Sequence, residues 1–131
     1  MILYRPVGQK EYELIKQSDF IEFPPRLPEQ PIFYPVLTQK YAEEIALKWN
    51  TKDKNSDNTG YVTKFEVDDN YISQFEIQRV GAEYHRELWI PAEQLSEFNH
   101  HIIGKIEIVK KFVEALLIIL PTFCSEELKS T

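Results

Sequence analysis

Residues 32–67, IFYPVLTQKYAEEIALKWNTKDKNSDNTGYVTKFEV, hold a strand, a helix, a polar connection and a second strand, and that order decides the fold class. Ile32, Phe33 and Tyr34 are strand-like, and Pro35 marks an edge, a bulge or the strand's end, because proline cannot donate to a ladder. Thr38 is placed to cap a helix, its hydroxyl accepting an orphan N–H of the first turn. Behind it Tyr41, Ala42, Ile45, Ala46 and Trp49 recur at the i, i+3, i+4, i+7 spacing of one helical face. Residues 50–60 are polar and rich in turn formers, which predicts an exposed, mobile loop. From Tyr61 the period changes to two. Tyr61, Thr63, Phe65 and Val67 then fall on one face, with Val62, Lys64 and Glu66 on the other.

Working outward, residues 2–5 read as an opening strand stopped by Pro6, and residues 9–18 as a helix carrying Tyr12, Leu14 and Ile15. Residues 20–31 contain Pro24, Pro25, Pro28 and Pro31, so they form an extended loop. Phe20, Ile21, Phe23 and Leu27 pin that loop to the body. On the other side, Asp68, Asp69 and Asn70 turn the chain into a short helical piece ending at Ile72. Strands are expected over 75–80 and 87–90, a helix over 92–99 behind Pro91, and a strand over 102–109 with Gly104 at a bulge. Residues 110–120 read as a closing helix, followed by a polar tail over 124–131. Phe112, Val113, Leu116, Leu117, Ile119 and Leu120 make that helix apolar all round, which predicts deep burial or a homodimer contact. Helices and strands mix without a regular βαβ beat, so a single α+β domain over 1–131 is expected.

A chain of 131 residues suffices for one continuous core, and 43% hydrophobic with 27% charged residues is ordinary for a folded protein. The formal charge of −6 argues against a nucleic-acid partner, whose phosphates need clustered Lys and Arg. Cys124 is the only cysteine, so an internal disulfide is impossible and a reducing compartment is expected. The first residues lack the basic and long apolar regions of a secretory leader, and the apolar run 112–123 is shorter than the roughly 20 residues a bilayer needs. A cytoplasmic protein with no membrane partner is the expectation.

The histidines do not predict a metal site, since His100 and His101 are adjacent and diverge on any regular element. The glycines Gly8, Gly60, Gly81 and Gly104 are too scattered for a phosphate-cradling loop. Three positions carry more chemistry. Arg5 ends the first strand, where a guanidinium either forks onto a phosphate or carboxylate or sits in a structural ion pair. Tyr34 offers a face for stacking on a flat ring, or fills the core. Glu87, after His85 and Arg86, either faces a cleft or ends a strand in solvent.

Taken together, these segments resemble the ADP-ribosyltransferase-like fold. Residues 2–7, ILYRPV, are similar to the superfamily's opening strand, which carries an Arg or His that holds NAD. Residues 33–46, FYPVLTQKYAEEIA, resemble its aromatic strand running into a helix, and Glu87 in HRELWIP (85–91) resembles its third motif. The chain is more closely similar to the short bacterial proteins of the "ADP-ribosylation/crystallin J1" family over about residues 1–109. The stretches that carry this likeness are YRPVG (4–8), FPPRLPEQPIFYPVL (23–37), WNTKD (49–53), ELWIPAE (87–93) and EFNHHI (97–102). The resemblance implies two small mixed or antiparallel sheets with inserted helices around an NAD cleft. It implies Arg5, Tyr34 and His85 as cofactor-binding residues and Glu87 as the catalytic carboxylate of a transferase. Pro6 stands where active members often carry glycine, which opens the alternative of a catalytically inactive binding or protein-interaction module that retains the fold.

Overall fold

The computed structural model describes residues 1–114. Its centre is an antiparallel three-stranded sheet in the order β1 (Ile2–Val7), β3 (Thr59–Val67), β7 (Ile102–Val113). Leu3, Arg5 and Val7 pair in register with Phe65, Thr63 and Tyr61, so all six face one side of the sheet. β1 runs through Pro6 instead of stopping there. Tyr4 exchanges its N–H and C=O with Val36, so by strand alternation the missing donor of Pro6 turns to that same side, away from β3, where the ladder does not need it.

Two short antiparallel pairs continue from β1. β2 (Ile32–Phe33) pairs with β6 (Ile90–Pro91), and β4 (Ile77–Arg79) pairs with β5 (Arg86–Leu88). Val36 bridges both Tyr4 and Glu87, which stitches β1 to β5 through a single residue. The architecture is α+β with small antiparallel sheets and four α-helices among the described residues.

Each face of the central sheet is covered. The main core joins Leu3, Val7, Phe65 and Val67 to Ile15 of α1 (Gln9–Gln17), to Phe23 and Phe33, and to Leu95 and Phe98 of α4 (Leu95–His100). Phe23 lies edge-on to Phe65 at 4.8 Å and tilted against Phe33 at 5.1 Å, geometries that add to burial energies of about 1.5–3 kcal/mol per large side chain. The opposite face buries Val62 and Val36 under Ala42 and Ala46 of α2 (Gln39–Lys48). The Thr38 hydroxyl accepts the Tyr41 N–H at 3.2 Å, capping α2 as the sequence predicts. Asp68 likewise caps α3 (Asp69–Ile72) by accepting the Tyr71 N–H.

Three expectations need correction. The first four residues assigned to a closing helix, 110–113, continue β7: Lys110, Lys111, Phe112 and Val113 pair with Val62, Tyr61, Gly60 and Thr59. A free β3 edge captures these four residues, Phe112 and Val113 among them, and overrides their helical spacing. Residues 115–131, including the rest of that helix, the polar tail and Cys124, lie outside the described residues. Second, residues 50–60 are an exposed loop only in part, with Lys52 to Asn55 and Asp57 exposed as expected. They fold into two 3₁₀ turns, Asn50–Lys52 and Lys54–Ser56, with Thr51, Ser56 and Thr59 buried. Gly60 is required there, since a Cβ would meet the Asn50 Cβ at 2.9 Å. Third, the strand expected over 75–80 is only Ile77–Arg79. Gly104, at φ +76°, does lie in an irregularity: Lys64 pairs with Glu107 but Glu66 with Ile103, so β7 bulges outward there.

The proline-rich loop packs down by one polar clamp. The Asn99 side-chain amide of α4 accepts the Phe23 N–H and donates to the Phe23 C=O, each at 2.9 Å. Replacing Asn99 with Ala strips both partners from a buried residue, and urea unfolding should show a loss of about 2–3 kcal/mol. A loss below about 0.5 kcal/mol would mean that the loop is held by its apolar side chains alone.

Candidate functional site

Because Val36 joins β1 to β5, the residues just before and after it open onto the C-terminal half of α2. Here lies a cleft of about 490 Å³, lined by Arg5 and Pro6 of β1, Tyr34, Val36, Glu87, Trp89, and Ile45, Trp49 and Asn50. The structure thus brings Arg5, Tyr34 and Glu87 together from three separate parts of the chain. Both tryptophans of the protein stand on the same cleft, and both are exposed, Trp49 to 70% and Trp89 to 43%. Tyr34 is exposed to 39%. Three exposed aromatic rings beside the Glu87 carboxylate are suited to stacking on a planar ligand.

Glu87 is the anchored carboxylate of this cleft. Its Oε2 accepts from the Tyr41 hydroxyl at 2.8 Å and its Oε1 from the Trp89 indole N–H at 2.7 Å. Tyr41 comes from the first turn of α2, where the Thr38 cap fixes the helix start. Burial, followed by the Glu87 hydrogen bond, pushes the Tyr41 phenol well above its ordinary range, so it stays a donor.

His85 does not line the cleft. Its Nδ1 accepts the Ala82 N–H at 3.0 Å, so the other nitrogen carries the proton and donates to Glu44 at 3.1 Å. Its ring stacks on Tyr41 at 4.6 Å. His85 therefore reaches the site only through Tyr41, and Glu44 is further held by the Tyr84 hydroxyl, which lowers its pKa.

Arg5 is 7% exposed and already engaged. Its Nε and Nη2 donate to the two carboxylate oxygens of Glu11 at 2.7 and 3.0 Å, Nη1 donates to the Tyr34 C=O at 3.4 Å, and the guanidinium lies 4.5 Å over the Phe33 ring. This is the ion-pair alternative of the sequence reading, and a fork already closed on Glu11 does not fork onto a ligand. Asn50, by contrast, has a buried Oδ1 without a hydrogen-bond partner at the cleft wall. Nothing in the sequence marks Asn50 or Trp89 as site residues, and Trp49 reads there as the end of a buried helical stripe. Among the described residues no group of three or more His, Cys, Asp or Glu is placed to hold a metal, and no helix is long and apolar enough to cross a membrane.

The tyrosines set an alkaline limit. Burial raises Tyr41, Tyr61 and Tyr71, and the Glu44 bond raises Tyr84, so the folded protein holds these protons more tightly than the unfolded chain. Their stabilisation is complete below the ordinary phenol pKa of about 10 and falls as pH rises above it. Tyr41→Phe should cost about 1 kcal/mol at neutral pH and flatten the fall in stability above pH ~10 in denaturant titrations. An unchanged alkaline slope would remove Tyr41 from this linkage.

Compared with family models, curated proteins and solved structures, the chain matches none of them, so the site stands on its own chemistry.

Proposed function

We propose that this protein is an ADP-ribosyltransferase-like domain that binds NAD or a related nucleotide in the aromatic cleft. The observation that carries the reading is the convergence of Arg5, Tyr34 and Glu87, distant in sequence, on one cleft that also holds both tryptophans. A planar base or nicotinamide ring stacks among Tyr34, Trp49 and Trp89. Glu87, fixed by Tyr41 and Trp89, accepts from a ribose hydroxyl, as the carboxylate of an NAD site does. Transfer would break the bond between C1′ and the nicotinamide nitrogen, the electron pair leaving with nicotinamide. The adjacent carboxylate would stabilise the positive ribose until an acceptor attacks C1′ and loses its proton.

A second reading is favoured by specific contacts: a nucleotide-binding module that transfers nothing. Both oxygens of Glu87 are already hydrogen-bonded, Arg5 is closed on Glu11, and Pro6 has no N–H to offer. Calorimetric titration of NAD into the wild type and Glu87→Ala, with nicotinamide release followed in parallel, separates the two. Binding weakened about tenfold or more by Glu87→Ala is expected on both readings. Nicotinamide release abolished by the same substitution identifies a transferase or glycohydrolase, and binding without release identifies the silent module. No heat of binding up to about 1 mM NAD would overturn the nucleotide reading altogether.

A further inference from the structure

Beyond the wall formed by Arg5, Pro6 and Asn50 lies a second cavity of about 420 Å³, which shares those three residues with the aromatic cleft. Arg5, Lys10 and Arg26 are its cations, and Glu11 and Asp53 its carboxylates. Two of these charges cancel. Arg5 and Glu11 neutralise each other through two hydrogen bonds, and Asp53 accepts from the Asn55 N–H and the Ser56 hydroxyl of its own turn. Arg26 is different. Its Nε is buried without a hydrogen-bond partner, and its guanidinium enters none of the ion pairs among the described residues.

A partly buried guanidinium with no ion-pair partner among the described residues is unfavourable in the unliganded protein. Burial lowers the pKa of Arg26, and repulsion from Arg5 lowers it further, while Glu11 opposes both only in part. The backbone that carries Arg26 is restricted, since Pro24 and Pro25 precede it and Pro28 follows. In a chain of net charge −6, a spare cation facing a cavity is a local reversal of sign. The second orphaned atom, Asn50 Oδ1, sits on the wall common to both cavities.

We propose that this second cavity is a phosphoryl-binding subsite, in which Arg26 forks two hydrogen bonds to anionic oxygens and Lys10 adds a second positive charge. Two spare cations suit the two negative charges of a phosphoryl group better than the one of a carboxylate. Continuity across Arg5, Pro6 and Asn50 then lets one ligand place its ring in the aromatic cleft and its phosphate beside Arg26. That connection rests on the nucleotide reading of the cleft; the anion site itself does not.

The test titrates inorganic pyrophosphate and, separately, NAD into the wild type, Arg26→Gln and Arg26→Lys at low salt, with the Tm of each unliganded protein. Pyrophosphate should bind the wild type, weaken at least about tenfold in Arg26→Gln and recover in part in Arg26→Lys. The unliganded Arg26→Gln protein should melt at the same temperature or higher, because the substitution removes an unpaired, partly buried charge. A lower Tm would make Arg26 a structural residue and overturn the proposal, as would pyrophosphate that fails to bind or binds all three proteins alike. NAD bound equally by the wild type and Arg26→Gln overturns the connection between the two cavities and leaves the cleft reading intact. Pyrophosphate bound through Arg26 with no NAD binding keeps the subsite and contradicts the cleft reading.

Discussion

The bidentate pair between Arg5 and Glu11 is the contact on which the rest of the molecule depends. It joins the middle of β1 to the first turn of α1, and the same guanidinium touches the Tyr34 carbonyl and the Phe33 ring. Two neighbouring elements and the more distant Phe33 and Tyr34 thus meet at one buried charge. Removing one partner of such a pair costs about 3–5 kcal/mol, because the other is left buried and uncompensated. The pair also draws the boundary between the two cavities, since Arg5 is part of both walls.

One residue further out, Val36 performs a backbone version of the same joining. By bridging Tyr4 and Glu87 it turns a three-stranded sheet and a two-stranded ribbon into neighbours. The cleft is the space left where that continuity is thinnest. Tyr34 and Trp89 reach it from either side of the bridge, and α2 closes it with Trp49. Glu87 is held rigid by donors from two different elements, which preorganises its charge before any ligand arrives.

Most of the local fold was legible in the sequence wherever short-range physics decides it. Thr38 announces α2, the proline cluster announces the extended loop, and the alternation after Tyr61 announces β3. Failures came where a tertiary partner overrode the local signal. Lys110 to Val113 look helical until β3 offers a ladder edge, and residues 50–60 look wholly exposed until two 3₁₀ turns and the close approach of Gly60 to Asn50 bury Thr51, Ser56 and Thr59. At the site, Arg5, Tyr34 and Glu87 were legible as residue types, but their convergence depends on the Val36 bridge, a single long-range contact with no periodic trace. Arg26, Asn50 and Trp89 were not legible at all. What distinguishes them is an unmet hydrogen bond or an exposed ring, and such properties exist only in the folded chain.

Because Trp49 and Trp89 are the protein's only tryptophans, their indole N–H resonances report on the cleft without interference. Trp89 is the more telling of the two, since its N–H lies on Glu87. In a ¹H–¹⁵N NMR titration with NAD, both resonances should shift together and saturate with a single Kd, Trp89 because its bond to Glu87 is perturbed and Trp49 because a ring stacks beside it. Two indole signals that stay in place up to about 10 mM NAD would contradict a nucleotide cleft at this position.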